Sequence, residues 1–195
     1  MAPEGYVKSE DIVFVIEDNG KNSIEIMIDK QVTVKKTDSD GNLLENAKLT
    51  VTDMEGNTVD EWTSGDNGHA VNNLVEGNTY VLKETEVPDG YVQAGDQMFT
   101  VNSTKEDQEL VMIDQKVEIN KTDEEGNPVK GAKLSIKDTN GNTVDFWMSD
   151  ETAHSVSGLK VNETYTIHEE ESEELSGYYL SEDTTFTVKD DQKDM

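Results

Sequence analysis

The sequence lacks cysteine altogether and contains no arginine, although it is 195 residues long. The absence of cysteine excludes a disulfide framework, a thiolate metal site and a cysteine nucleophile. The 16 basic residues are therefore all lysine, and 43 acidic residues bring the formal net charge to −27. This balance argues against nucleic-acid binding, which requires a basic surface, and against docking on anionic lipid.

Long apolar runs are also missing, so membrane insertion and a signal peptide are not predicted within this segment. Hydrophobic residues make up only 33% of the chain, which favours a thin sandwich or several small domains over one thick core. Short alternating runs of aliphatic and aromatic residues argue against disorder, the rival interpretation of so acidic a composition. We expect the segment to be part of a longer chain.

The sequence repeats itself with a period of 85 residues, as in the pairs Lys36/Lys121, Trp62/Trp147, His69/His154 and Glu84/Glu169. Such a period indicates a tandem array. Its phase predicts residues 1–29 as the C-terminal hairpin of a preceding repeat, turning at Asn19-Gly20. Residues 30–115 form a complete repeat, and residues 116–195 form a second repeat that lacks its last strand. The second repeat gains two residues after Glu169, so that Gly177 matches Gly90.

Within a repeat the pattern is typical of strands. Short runs such as 32–34, 48–51, 79–82 and 98–101 are rich in β-branched and aromatic residues, and Gly- and Asn-containing turns separate them. No window of helical length has an apolar stripe. About six or seven short strands in such a repeat predict an all-β fold of tandem small β-sandwiches.

Strand parity places three ionisable side chains on apolar faces. Lys36 shares a face with Val32 and Val34, Glu84 shares one with Tyr80 and Leu82, and Asp114 shares one with Leu110 and Met112. In the strand of Asp114 the opposite face, with Val111 and Ile113, is apolar as well, so parity alone leaves the burial of Asp114 open. One interpretation is a lysine–carboxylate salt bridge at the sheet margin. The other is an acylation pair, since burial favours the neutral amine and the protonated acid, and the carboxyl group of a glutamate can shuttle protons between them.

The ordered set of segments VTVKKTDSDGN, YVLKETEVPDGY and LVMID closely resembles the Cna B-type repeat of collagen adhesins and Gram-positive pilins, including its split form, SpyCatcher and SpyTag. The resemblance implies immunoglobulin-like (prealbumin-like) sandwiches that close a spontaneous Lys–Asp isopeptide bond. It matches Lys36 to the reactive lysine, Glu84 to the catalytic glutamate and Asp114 to the bond-forming aspartate.

The two incomplete repeats depart from this pattern. Glu169 matches the catalytic position less securely, because acidic residues flank it and the Pro-Asp-Gly segment is replaced. Lys121 has no matching aspartate within its own repeat, and Asp29 follows a strand whose lysine and glutamate are missing. We therefore predict no bond within the chain at Lys121 or Asp29. A bond from Asp29 to Lys121 would have to join neighbouring molecules by strand addition.

The resemblance implies a structural function, namely stalk or spacer repeats of an adhesin or pilus protein. Such a protein is extracellular and attached to the cell wall, and its anchor lies outside this segment. The expected partners are neighbouring repeats and, through other domains, a host surface ligand. The alternative is an adhesion module that binds a host protein or glycan through its loops, which would require a solvent-exposed Trp62 or a sizeable pocket. No turnover enzyme, cofactor or metal site is predicted, since the histidines lack the spacing of metal ligands.

Overall fold

The computed structural model describes residues 2–9, 11–16, 18, 22, 24–172 and 178–189, and all regular structure within these ranges is β-strand. The strands in chain order are β1 (Val32–Asp38), β2 (Lys48–Thr52), β3 (Thr58–Thr63), β4 (His69–Ala70), β5 (Thr79–Glu86), β6 (Gln97–Thr100), β7 (Gln108–Asp114), β8 (Glu118–Ile119), β9 (Lys133–Lys137), β10 (Thr143–Met148), β11 (His154–Ser155), β12 (Thr164–Glu170) and β13 (Thr184–Thr187). The prediction of an all-β fold is confirmed. Nowhere in the described ranges is there a helix long and apolar enough to cross a membrane.

A five-residue turn with the pattern Asp-x-x-Gly-Asn separates strands at four places. In the first copy, the backbone N–H of Asn42 donates to Oδ1 of Asp38 at 2.8 Å, and the Asn42 amide donates to Oδ2 at 3.0 Å. Gly41 has φ of 86°, a conformation that favours glycine. The side-chain hydrogen bond from Asn42 holds the pKa of Asp38 below its ordinary value. The same turn recurs with the equivalent bonds at Asp53, Asp123 and Asp138.

The chain forms two compact units. Unit 1 comprises Met1–Thr37, Leu43–Thr85 and Asp96–Met112, and unit 2 comprises Asp38–Asn42, Glu86–Gly95 and Ile113–Met195. The division does not follow the sequence repeats, because Glu86–Gly95 belongs to the first repeat but packs within unit 2.

Unit 1 is built from two sheets, with strand orders β3-β2-β5-β6 and β4-β1-β7. Antiparallel pairing aligns Leu49 with Trp62 and Tyr80 with Phe99. On β1 and β5 alternate residues are buried, so the apolar alternation of the sequence becomes the inner face of each sheet. The fully buried side chains come from strands of both sheets and include Val32, Val34, Leu49, Val51, Leu82 and Met112.

Unit 2 repeats this arrangement with sheets β10-β9-β12-β13 and β11-β8. Its core cluster contains Val92, Ala132, Leu134, Ile136, Trp147, Val156, Leu159, Tyr165 and Val188. Strand β8 has two residues, whereas the equivalent β1 has seven. In the described residues of unit 2, β8 pairs only with β11, so the second sheet is smaller than its counterpart in unit 1.

The predicted hairpin at 11–29 stays a prediction. Its turn, Asn19-Gly20, lies outside the described residues. The described flanks, 11–16 and 24–29, are not assigned to strands, and their apolar side chains are exposed, with Val13 at 92% and Ile24 at 80%.

Candidate functional site

Lys36 lies on β1 in a row of buried residues. It follows Val32 and Val34 on the inward face, and its side chain is completely inaccessible to solvent. The backbone carbonyl of Lys36 accepts a hydrogen bond from the N–H of Leu44 at 2.9 Å, which fixes the strand after the first turn. The parity argument therefore placed this lysine correctly in the interior.

Glu84 faces Lys36 from the other sheet of unit 1. It lies on β5 beyond Tyr80 and Leu82, and its side chain is also fully buried. Lys36 Nζ and Glu84 Oε1 are 3.5 Å apart. Removing two charged groups from water costs several kcal/mol per ion. A fully buried pair of this kind therefore indicates a specific structural or functional role.

Asp114 is the last residue of β7 and has no solvent-accessible surface. Met112, two residues earlier, is likewise buried. Strand β7 neighbours β1 in the three-stranded sheet, so the strand that ends in Asp114 runs beside the strand that carries Lys36. The burial of all three predicted residues agrees with strand parity, while their chemical roles remain predictions.

In unit 2 the equivalent lysine and glutamate are also in contact, but the lysine is partly exposed to solvent. Lys121 Nζ lies 3.0 Å from Glu169 Oε2, with 18% of the Lys121 side chain and 3% of the Glu169 side chain exposed. Ser181 completes the group, because its hydroxyl accepts a hydrogen bond from Lys121 at 2.6 Å and its N–H donates to Glu169 at 2.8 Å. Lys121, which we predicted to have no covalent partner, thus has a noncovalent one.

The electrostatics of Glu169 follow from these contacts. Burial by itself raises its pKa, but the hydrogen bonds from the Ser181 backbone and from Lys121 together outweigh burial and hold the pKa below its ordinary value. Ser181 was not predicted from the sequence, although the 87-residue offset of this region aligns it with Ala94. The serine adds a hydroxyl group at a position that is alanine in the first repeat, and this difference was the one sign in the sequence that Ser181 could bond to the pair.

Asp29, the other residue predicted to lack a partner in its repeat, is exposed. The buried charge in this region is instead its neighbour Lys30, 3% exposed, which the sequence analysis did not single out. Its ammonium group donates to the backbone carbonyls of Asn102 and Thr104 and lies 3.7 Å from the Glu76 carboxylate. Lys30 therefore ties the chain entering β1 to the loop before β7.

Trp62, the predicted marker of a binding platform, is half-buried in unit 1. Its ring stacks on His69 with 4.2 Å between centroids, and His69 Nε2 lies 2.9 Å from Asp60 Oδ2. Burial by itself raises the pKa of Asp60. The hydrogen bonds from the Asn72 backbone and from His69 outweigh this effect and hold the pKa below its ordinary value. Trp147 stacks on His154 in the same way in unit 2. The repetition of this cluster favours a packing role for both tryptophans.

The described residues include no cluster of three or more histidine, aspartate or glutamate side chains arranged to hold a metal ion.

Comparison with known proteins gives one family match and several distant structural matches. The family model described as SpaA, prealbumin-like fold domain, matches residues 30–116 and 115–195. No curated protein matches the chain.

Among solved structures, the Bacillus anthracis TIE protein is 22% identical with a TM-score of 0.35, over 97% of this chain and 38% of that one. A streptococcal ancillary pilin is 18% identical with a TM-score of 0.41, over 84% and 59%. The shaft pilin SpaA from Lactobacillus rhamnosus GG is 15% identical with a TM-score of 0.37, over 83% and 94%. The chain thus spans less than two thirds of the first two proteins.

Proposed function

Because the chain belongs to the SpaA family of prealbumin-like fold domains, we propose that it is a structural part of a pilus or adhesin on a Gram-positive cell surface. In this proposal the two repeats are stalk or spacer modules, extracellular and attached to the cell wall through other parts of the protein. Their partners are neighbouring repeats and other pilin subunits, and a host ligand is bound by other domains. The net charge of −27 supports the role, because it keeps an extended array solvated.

The finer proposal is that the first repeat, residues 30–115, is of the Cna B type and contains an isopeptide bond between Lys36 and Asp114. The observation that carries it is the pair of fully buried side chains, Lys36 and Glu84, 3.5 Å apart in a cysteine-free chain. The complete burial of Asp114 on the strand next to β1 supports it as well. A surface salt bridge would need none of this burial.

The proposed reaction requires the neutral amine of Lys36 and the protonated carboxyl group of Asp114. The lone pair of Nζ attacks Cγ of Asp114. Glu84 takes a proton from the nitrogen and delivers one to the departing hydroxyl group. The Nζ–Cγ bond forms, the Cγ–OH bond breaks and one water molecule leaves. The chain reacts once with itself, so it is not a turnover enzyme.

The bond would give the stalk a crosslink that reducing agents cannot open. It closes a loop of about 80 residues, which on a chain-entropy model stabilises the fold by about 4–5 kcal/mol. It also joins the first strand of the repeat to its last strand, so that a pulling force on the array cannot separate them without breaking a covalent bond. These properties suit a mechanical role.

Intact-protein mass spectrometry under denaturing conditions tests the proposal. The wild-type chain should be lighter than its calculated mass by one water, about 18 Da, because amide formation between an amine and a carboxyl group releases water. Lys36→Ala and Asp114→Ala should both restore the calculated mass, while Lys121→Ala should keep the deficit. A wild-type chain at its full calculated mass would remove the isopeptide bond and leave an ordinary sandwich repeat.

The adhesion-module alternative remains a prediction in second place. Trp62, one of the two features that would support it, stacks on His69 and is half-buried.

A further inference from the structure

A short segment of the sequence makes the same contacts twice, 85 residues apart. Residues 3–8 make them within unit 1, and residues 88–93 make them within unit 2. Both segments begin with a Pro-x-Gly-Tyr turn, closed by a hydrogen bond from the tyrosine N–H to the proline carbonyl at 3.1 Å and 3.2 Å. We call these two stretches the docking segments. Along the chain, each docking segment precedes the repeat against which it packs.

The glycine of each docking segment fixes the turn against the receiving unit. Gly5 and Gly90 have φ of 78° and 79°, so both adopt the left-handed conformation that glycine tolerates best. The N–H of Gly5 donates to Asn72 Oδ1 at 2.8 Å, and the N–H of Gly90 donates to Ser157 Oγ at 3.0 Å. Different side chains thus accept the same bond at equivalent positions.

The backbone beyond the glycine pairs with the loop before the strand that carries the buried glutamate. In unit 1 the N–H of Lys8 donates to the carbonyl of Leu74 at 2.9 Å, and Lys8 bridges Val75 in parallel. In unit 2 the N–H of Gln93 donates to the carbonyl of Leu159 at 3.0 Å, and Gln93 bridges Lys160 in parallel. Each docking segment is therefore joined to its unit by an isolated parallel bridge.

A valine from each docking segment enters the core. Val7 and Val92 are both completely buried, and Val92 belongs to the apolar cluster of unit 2 together with Trp147, Val156 and Leu159. The N–H groups of both valines donate at 2.9 Å, to the carbonyls of Lys30 and Gln115, which stand at the start of each repeat. The core of unit 2 thus includes a side chain that the sequence assigns to the first repeat.

We propose that the Pro-x-Gly-Tyr-Val segment is a docking element through which one prealbumin-like repeat binds the next. Its acceptor is the groove formed by the start of the following repeat and the loop that precedes its glutamate-bearing strand, residues 72–76 or 157–160. The partner is another domain of the same kind, recognised by a hydrogen-bond acceptor for the glycine N–H, a strand edge and an apolar cavity of valine size. The inference does not depend on the isopeptide bond.

Hydrogen exchange of the full chain, followed by mass spectrometry, tests the proposal. Val92→Ser should speed exchange in 133–148 of unit 2 at least tenfold, because loss of a buried valine and burial of a hydroxyl lower the free energy of local opening. Exchange in 48–63 of unit 1 should not change. Val7→Ser is the matched variant and should produce the opposite pattern. Complete unfolding of unit 2 alone in Val92→Ser is the strongest form of the expected result.

Tyr179→Ser is the control variant. Tyr179 aligns with Val92 through the 87-residue offset, but its side chain is 97% exposed, so its replacement should alter exchange in neither range. In the wild-type chain, peptides that cover 88–93 should exchange as slowly as those of the adjoining strands. The proposal is overturned if these residues exchange at the rate of an open loop, or if Val92→Ser affects 48–63 as much as 133–148.

Discussion

The two lysine–glutamate pairs differ in solvent access, although the same residue types occupy the same positions of the repeat. Lys36 and Glu84 are fully buried, and β1 lies between β4 and β7. Lys121 and Glu169 are closer, 3.0 Å against 3.5 Å, but the lysine is 18% exposed, and the described residues provide β8 with a single neighbouring strand. The lysine with neighbouring strands on both sides is thus fully buried, and the lysine whose strand has a single described neighbour is partly exposed.

This difference separates two kinds of chemistry. A pair whose lysine is 18% exposed and whose two groups both bond to Ser181 is a stable ion pair. A fully buried pair beside the strand that ends in the buried Asp114 has the arrangement that the proposed acylation requires. We therefore place the proposed covalent bond in the first repeat, residues 30–115, and an ion pair in the second.

The largest expected effect is the loss of the proposed crosslink. Asp114→Ala should lower the free energy of unfolding of the first repeat by about 4–5 kcal/mol, because the unfolded chain regains the entropy of a loop of about 80 residues. The midpoint for thermal unfolding should fall by roughly 20 °C for a domain of this size. Hydrogen exchange in β2 and β5 as a function of temperature measures the change, and unit 2 serves as the internal reference. A fall of only a few degrees would contradict the covalent closure.

A smaller effect is expected for the solvated pair. Lys121→Ala leaves the carboxylate of Glu169 with the N–H of Ser181, and 18% of the lysine side chain was already in contact with water. Unit 2 should therefore lose only about 1–2 kcal/mol. Denaturant unfolding with exchange in 133–148 as the readout checks this value. A loss as large as that of Asp114→Ala would mean that the two pairs do not differ in kind.

Acid should weaken unit 2 through Glu169. A carboxylate with a folded pKa below its unfolded value of about 4.3 stabilises the fold above that pH, and this contribution disappears as pH falls through the folded pKa. The pKa of Glu169 is lowered in this way. The stability difference between the wild type and Glu169→Gln should therefore be largest near neutral pH and shrink toward pH 3, a range that thermal unfolding in a series of buffers covers. A difference that grows on acidification would mean that the pKa is raised instead.

The smallest expected effect concerns the serine that distinguishes the two repeats. Ser181→Ala reproduces the alanine found at the aligned position 94, and it removes one hydrogen bond from Lys121 while the backbone bond to Glu169 stays. The loss should be about 0.5–1 kcal/mol. A matched Ser155→Ala variant, whose hydroxyl is bonded to Glu118 near the surface, provides the control. An effect no larger than that of the control would remove Ser181 from the group.

Strand parity was sufficient to place Lys36 and Glu84 in the interior, because side chains alternate along a regular strand. For Asp114 parity left two faces open, since Val111 and Ile113 make the other side of its strand apolar as well. The turn pattern after Asp38 and its three repeats could also be predicted, since the aspartate, glycine and asparagine each have a local role. Contacts between distant segments could not be obtained in this way. Nothing local to Val92 indicates that its side chain completes the core of unit 2, and Ser181 comes near Lys121 only through folding.

Peptide mapping after complete tryptic digestion tests the covalent bond most directly. Trypsin cannot cut after an acylated lysine, so the account predicts a branched peptide in which residues 36–48 and 106–116 are joined, lighter than the two parts by one water. Fragmentation should place the junction at Lys36 and Asp114. Recovery of the linear peptides 37–48 and 106–116 in full yield would contradict the account.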